Sequence, residues 1–293
     1  MDIVLGDAKP DCVVVQGDTS TCLAGALASF QRKIPVYHVE AGLRTNDKSA
    51  PFPEELNRQL VSRIAHVHFA PTEKNKRALL REGISDNNIV VTGNTVIDAL
   101  MMCQKKMTPE SNPEILKLQG IYEPKKKLLL VTGHRRENIG AGFLELIDAL
   151  LELASNPSLQ IIYPLHLNPA VREPMIQALG KTDGIFLIEA LGYEAFVWLM
   201  SKSFLIISDS GGVQEEAPSL NKPVLVLREQ TEREEAIEAG TVKLIGTLKE
   251  AIVHGVQELI EDEDAYMEMT QKPNPYGDGM AAKRIVDFLA SVE

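Results

Sequence analysis

Short apolar, β-forming runs alternate with helical segments along the whole 293-residue chain. Residues 12–15, 36–39, 67–69 and 89–91 read as strands, as do 128–131, 161–163, 184–188, 204–207 and 224–227. Several are apolar with no polar alternation, as strands buried on both faces must be. Helical patterns fill 21–32, 54–65, 72–82, 141–153, 169–179 and 193–200. Alternating β and α segments imply parallel sheets joined by right-handed crossovers. The expected class is therefore α/β, and the length suits two doubly wound, Rossmann-like domains.

Turn residues and charge place the seam between Asn94 and Lys127, where Ser111-Asn112-Pro113 and Glu123-Pro124-Lys125-Lys126-Lys127 interrupt the pattern. Residues 1–107 are expected to form the first domain and 108–274 the second. A C-terminal helix within 275–293 is expected to pack back on the first. Ligands of such folds bind beyond the carboxyl ends of the strands, so the cleft between two such domains is the expected site. The net charge of −11 argues against a nucleic-acid partner, whose footprint is a basic patch. Cys12, Cys22 and Cys103 lack metal-ligand spacing and read as reduced thiols, mostly in the core. No apolar run approaches the roughly 20 residues that span a bilayer, and no signal peptide precedes the first strand. The expected setting is the cytoplasm, with no membrane partner.

The most informative polar stretch is 206–216, Ile-Ile-Ser-Asp-Ser-Gly-Gly-Val-Gln-Glu-Glu. An apolar strand runs into two glycines and then a helix. Gly211 and Gly212 permit a tight turn and close approach of backbone to a ligand. Ser210 is placed as the helix N-cap, and the free N–H groups behind it suit an anion such as phosphate. Glu215 and Glu216 lie about 100° apart on that helix, so one of them can face a ligand and accept from the vicinal hydroxyls of a ribose. A βα turn with a solvated acidic face is the other reading.

Further polar residues cluster at strand ends. Asp18 follows the first strand, either as a helix N-cap or as a ligand-facing acid. Glu40 ends the second strand in His38-Val39-Glu40-Ala41-Gly42-Leu43-Arg44 and reads as ligand-facing. His38, inside the strand, reads as a satisfied core histidine. Glu54 and Glu55 open a helix, which suits its dipole whatever the function. His134, Arg135 and Arg136 form a cationic patch after the strand at 128–131, where arginine suits phosphate and histidine can move a proton near neutral pH. His166 sits between prolines in 163–169, and Arg233 closes a charged run after the strand at 224–227.

Taken together, GDTSTCLAGALASF, HVEAGLRT, PFPEELNR, TGNTVIDAL, TGHRREN, YPLHLNP, SDSGGVQEEAPSLNKPVLVLREQTER and NPYGDG resemble the non-hydrolysing UDP-N-acetylglucosamine 2-epimerases. The resemblance runs in order over essentially the whole chain. It implies the GT-B arrangement of two Rossmann-like domains, a homodimer, and cytoplasmic supply of UDP-N-acetylmannosamine for cell-surface polysaccharides. It implies acid/base groups at Asp18, Glu40, Glu54 and His134. UDP-sugar contacts fall on Ser210, Gly211, Gly212, Glu216 and Arg233, with Arg135 a further candidate. A second UDP-N-acetylglucosamine acts as activator in this branch, and Glu55, Arg58, Arg136 and His166 match regions tied to that regulation. No cofactor and no metal is implied. Nothing in Met1–Pro10 resembles the family's opening strand and Gly-Thr-Arg-Pro-Glu loop. Roughly 80 residues are therefore expected to be absent, against a normal domain of about 150–200 residues. The first sheet is expected to be truncated beside 12–15, leaving exposed apolar side chains and little or no activity.

The C2 proton of the substrate has no adjacent carbonyl. Family chemistry implies instead that a base removes H2 as UDP leaves C1, giving a 2-acetamidoglucal. UDP then re-adds while a proton reaches the opposite face of C2. Rivals are a GT-B glycosyltransferase, a hydrolysing epimerase, and a non-catalytic sugar-nucleotide-binding remnant.

Overall fold

The structure, a computed structural model, describes residues 1–133 and 140–292. It divides into two compact units: Met1–Ala99 with Tyr276–Glu293, and Leu100–Pro275. The division falls earlier than the expected 107/108 boundary. It lies inside a continuous helix, where no turn chemistry marks it.

The first unit opens with α1 (Asp2–Ala8) and then runs β1 (Val13–Gln16), α2 (Ser20–Gln31), β2 (Val36–Val39), α3 (Glu54–Ile64), β3 (Val67–Ala70), α4 (Glu73–Arg81) and β4 (Ile89–Val91). Helix α5 (Thr95–Lys106) crosses into the second unit. The strands are all parallel, in the order β1-β2-β3-β4. Three right-handed crossovers stepping the same way put their helices on one face. Accordingly Val15 and Val36 pack against Cys22 and Ala26 of α2 and Val61 of α3. On the other face Tyr37, Val39, Val67 and Phe69 pack with Ile285, Phe288 and Leu289, which arrive from α14 at residues 281–291. Phe288 meets Tyr37 and Phe69 edge-on. Burying Phe69 completely contributes about 1.5–3 kcal/mol. Asp98 receives the first amides of that last helix, Ala281 and Ala282, at 3.0 and 2.9 Å.

β1 is the outer strand of this sheet, and Val14 is 47% exposed. Ile3, Val4, Leu27 and Phe30 of the neighbouring helices are exposed as well.

The second unit continues with α6 (Pro113–Ile121), β5 (Lys127–Thr132), α7 (Ala141–Ala154), β6 (Leu159–Pro164), α8 (Pro169–Leu179), β7 (Ile185–Ile188), α9 (Tyr193–Lys202) and β8 (Leu205–Ser208). It closes with α10 (Gly211–Glu216), β9 (Val224–Val226), α11 (Glu234–Ala239), β10 (Val242–Leu244), α12 (Lys249–Glu261) and α13 (Glu263–Thr270), and α14 (Ala281–Ser291) returns to the first unit. The six strands are parallel in the order β10-β9-β8-β5-β6-β7. Counted from β5, this is the doubly wound order 3-2-1-4-5-6, with its reversal between β5 and β8. Leu129, Val131, Ile161, Tyr163, Leu205 and Ile207 lie at the centre of the core. Among the described residues no helix is long and apolar enough to cross a membrane.

Candidate functional site

Winding order selects the crevice of the second unit. Where β5 and β8 diverge, Thr132 Oγ1 and Ser208 Oγ share a hydrogen bond of 2.7 Å, and the Ser210 amide donates to Ser208 Oγ at 3.0 Å. Beyond them opens a cavity of about 320 Å³. Its polar wall holds Thr132, Gly133, Ser210, Gly212 and Glu216, and its apolar wall holds Leu191 and Phe196. His166, on the exposed loop after β6, lies at the same cavity, with Nδ1 accepting from the Asn168 amide at 3.1 Å. Tyr163 fixes the turn after β5 by donating to Gly133 O at 3.0 Å. A larger depression of about 470 Å³ follows the outer strand β10. It lies away from the reversal, and its Lys243 and Glu258 pair with each other.

Ser210 is the N-cap residue of α10, though its hydroxyl makes no capping bond. Of the two helix glutamates, Glu216 lines the cavity. Glu215 is tied to Arg233, whose Nε donates to Oε1 at 2.9 Å, while Nη1 donates to Glu232. Arg233 thus spends charge on two carboxylates, and its guanidinium lies against Gly211. A Cβ added at that glycine would sit 3.0 Å from Cζ. Gln214 is locked from the same side, accepting from Thr231 Oγ1 at 2.8 Å. Burial pushes the Glu216 carboxyl up from its ordinary value, against the opposing bond from Tyr193. Burial, and then Glu216 itself, push Tyr193 up strongly. Tyr193, Phe196 and Leu191 carry no motif by residue type, so sequence reasoning did not single them out.

The first unit gathers a second constellation. Thr19, rather than Asp18, caps α2, its side chain accepting from the Cys22 amide at 3.1 Å. Asp18 is thereby released from the capping role and meets Arg58 instead, at 2.8 Å. Glu40 has φ +64°, a conformation non-glycine residues rarely adopt and one that concentrates at functional sites. Its Oε2 lies 3.5 Å from where a Gly17 Cβ would be, next in sequence to Asp18. Burial and then both carboxylates, Asp18 and Glu40, push the Cys22 thiol up to about 11. Behind Glu40, Gly42 has φ +95°, and a Cβ there would lie 2.4 Å from Asn75 O, so the loop tolerates only glycine. Glu54 stands partly exposed in the first turn of α3.

His38 Nε2 donates to Gly17 O at 2.8 Å, but its Nδ1 is buried without a partner, as is Nδ1 of His68. The expectation of a satisfied core histidine is half met. Burial drives both imidazoles down to about 4. Glu55 and Arg58, expected to take part in regulation, turn inward with side chains 0% and 6% exposed. His134, Arg135 and Arg136 lie outside the described residues.

Residues 1–290 match the family model for UDP-N-acetylglucosamine 2-epimerase. The UDP-N-acetylglucosamine 2-epimerase of Escherichia coli K12 is 50% identical over 289 residues, covering 98% of this chain and 77% of that protein. The chain belongs to the UDP-N-acetylglucosamine 2-epimerase family. The crystal structure of the Neisseria meningitidis UDP-GlcNAc 2-epimerase bound to UDP-GlcNAc superposes with a TM-score of 0.90 at 49% identity, over 99% of this chain and 78% of that one. An S. aureus MnaA–UDP co-structure gives 0.90 at 47% identity, over 98% and 77%. Like these epimerases, the chain is of the GT-B type, with parallel α/β sheets in two units.

Proposed function

We propose that the reaction this chain is built for is the interconversion of UDP-N-acetylglucosamine and UDP-N-acetylmannosamine by epimerisation at C2. The observation that carries this is the cavity at the reversal between β5 and β8, where Glu216 faces inward beside Ser210 and Gly212. A buried carboxylate there suits the vicinal hydroxyls of a ribose, and Phe196 and Leu191 suit the flat face of uracil. Gly212 and Ser210 bring backbone close enough for the pyrophosphate.

The chemistry needs two proton-transfer groups serving opposite faces of C2 and a means of stabilising departing UDP. Asp18, Glu40, Glu54 and His134 are the candidates for proton transfer, each worth about 10²–10⁴ in rate when well placed. Arg233 and the turn at Gly211 are the candidates for steadying the leaving diphosphate. Support for the first group comes from the strained backbone of Glu40 beside the Asp18 loop. Arg135 is a further candidate for the diphosphate. His166 and Arg136 are assigned to an activator molecule of UDP-N-acetylglucosamine. The acting species is read as a cytoplasmic homodimer. Sedimentation and the shape of the velocity curve test those last readings.

The deciding experiment supplies UDP-N-acetylglucosamine in D₂O with no added cofactor or acceptor. UDP-N-acetylmannosamine carrying deuterium at C2 is expected. Epimerisation with the original hydrogen retained would overturn the elimination route. Free N-acetylmannosamine would identify a hydrolysing enzyme, and bound UDP with no turnover a binding protein.

A further inference from the structure

We propose that Arg58 is a positioning residue for Asp18, and that Glu55 holds Arg58 and the loop after Glu40 in one frame. This rests on reading Asp18 as an acid/base group of the epimerisation. Arg58 places two nitrogens on a single oxygen of Asp18: Nε and Nη2 each lie 2.8 Å from Oδ2. Among the described residues Oδ1 has no partner, and the Asp18 side chain is 26% exposed. One oxygen is thus fixed and the other left for proton transfer. The neighbouring Asn57 holds the same residue by its backbone, with Nδ2 donating to Asp18 O at 2.8 Å.

The frame continues through Glu55. Its carboxylate accepts from Arg58 Nη1 at 3.1 Å, and from the amides of Thr45 and Asn46 at 3.0 and 3.1 Å. Burial pushes this carboxyl up, but the bonds from Thr45, Gln59, Arg58 and Asn46 outweigh it and leave it below its ordinary value. A buried anion that bonds two consecutive loop amides fixes where the chain leaves Glu40. Arg44 ties the same loop from the other side, holding Glu82 at 2.6 Å and Ser62 Oγ at 2.7 Å. Three residues within one turn of α3, namely Glu55, Asn57 and Arg58, therefore set the position of Asp18 and the exit from Glu40. A lysine at 58 carries charge but has no fork with which to reach both carboxylates.

The test compares Arg58→Gln, Arg58→Lys, Asp18→Asn and the double variant Arg58→Gln/Asp18→Asn in the whole chain. Arg58→Gln should lower kcat about 10²-fold and leave KM within about threefold, since the UDP contacts are elsewhere. Arg58→Lys should recover part of the loss. The double variant should be no slower than Asp18→Asn alone, because groups acting as one unit are non-additive. Additive losses, or a loss in step with the unfolded fraction, would overturn the positioning role. Full turnover in Asp18→Asn would instead sink the reading of Asp18. A crystal structure of Arg58→Gln gives a readout independent of turnover: Asp18 Oδ2 should leave its present place. In Glu55→Gln the Thr45 and Asn46 amides should exchange hydrogen at least about tenfold faster, on the order of 1.4 kcal/mol of lost protection. An unmoved Asp18 and unchanged protection would overturn the proposal.

Discussion

The Tyr193 hydroxyl donates to Oε1 of Glu216 at 2.5 Å. The bond fixes one oxygen of a buried carboxylate that lines the cavity with Phe196 and Gly212. Hydrogen bonds to a charged group are worth about 1.5–3 kcal/mol each. Glu216→Ala should therefore weaken UDP binding by at least about tenfold, and Tyr193→Phe by less. Titration calorimetry with UDP reads both. Unchanged affinity in Glu216→Ala would remove this carboxylate from the nucleotide site.

Acid/base and binding positions should separate in steady-state kinetics. Asp18→Asn, Glu40→Gln, Glu54→Gln and His134→Ala are each expected to cut kcat by about 10² or more, with UDP affinity retained. A variant among them with full turnover loses its assigned role. The substitution at Glu54 discriminates most sharply, because that side chain also suits the helix dipole and has a structural reason to be there.

His38 and His68 are register partners on β2 and β3, and both imidazoles are held down to about 4 by burial, with Arg44 adding to the effect. Above the ordinary value of 6.5 the folded and unfolded chains carry the same neutral imidazoles. Between about 6.5 and about 4 only the unfolded chain gains protons, so stability falls as pH falls. The slope approaches about 1.4 kcal/mol per pH unit for each histidine. Urea unfolding followed from pH 7 to pH 4.5 should show this loss in the first unit, and His68→Phe should flatten it. A flat profile in the unsubstituted chain would contradict the burial argument.

Among the described residues β1 is an outer strand with Val14 exposed, and Ile3, Val4 and Phe30 are exposed on the adjoining helices. An apolar outer strand is a template for pairing with another chain, and charge on it is the usual remedy. Val14→Lys should raise the concentration at which the protein remains unaggregated in light scattering. An unchanged threshold would mean association proceeds through another surface.

Wherever a strand was apolar on both faces, its place was legible in the chain. The turn at Gly211 and Gly212 lies at the end of β8, and Asp18 and Glu40 follow β1 and β2 within a few residues. What escaped notice had a weaker or purely spatial signal. β10 has three residues, with Lys243 exposed in the middle, too few to establish a period. α12, absent from the expected helices, buries Ile252, Val253, Val256 and Leu259 on one stripe at helical spacing. The bond between Arg58 and Asp18 spans 40 residues of sequence and leaves no local trace. Tyr193 stands 23 residues before Glu216 and becomes its partner only when β8 is in place.

Because α2, α3 and α4 all cover one side of the first sheet, its other side waits for α14. Tyr37 and Phe69 are synthesised early, whereas Phe288 emerges only after the whole of Leu100–Pro275. At about 5–20 residues per second, translation leaves that aromatic face bare for on the order of ten seconds or more. The second unit, continuous in sequence, can complete its core during that interval. A chain ending before residue 281 and released from the ribosome should therefore hold a finished second unit and a first unit that still binds chaperone.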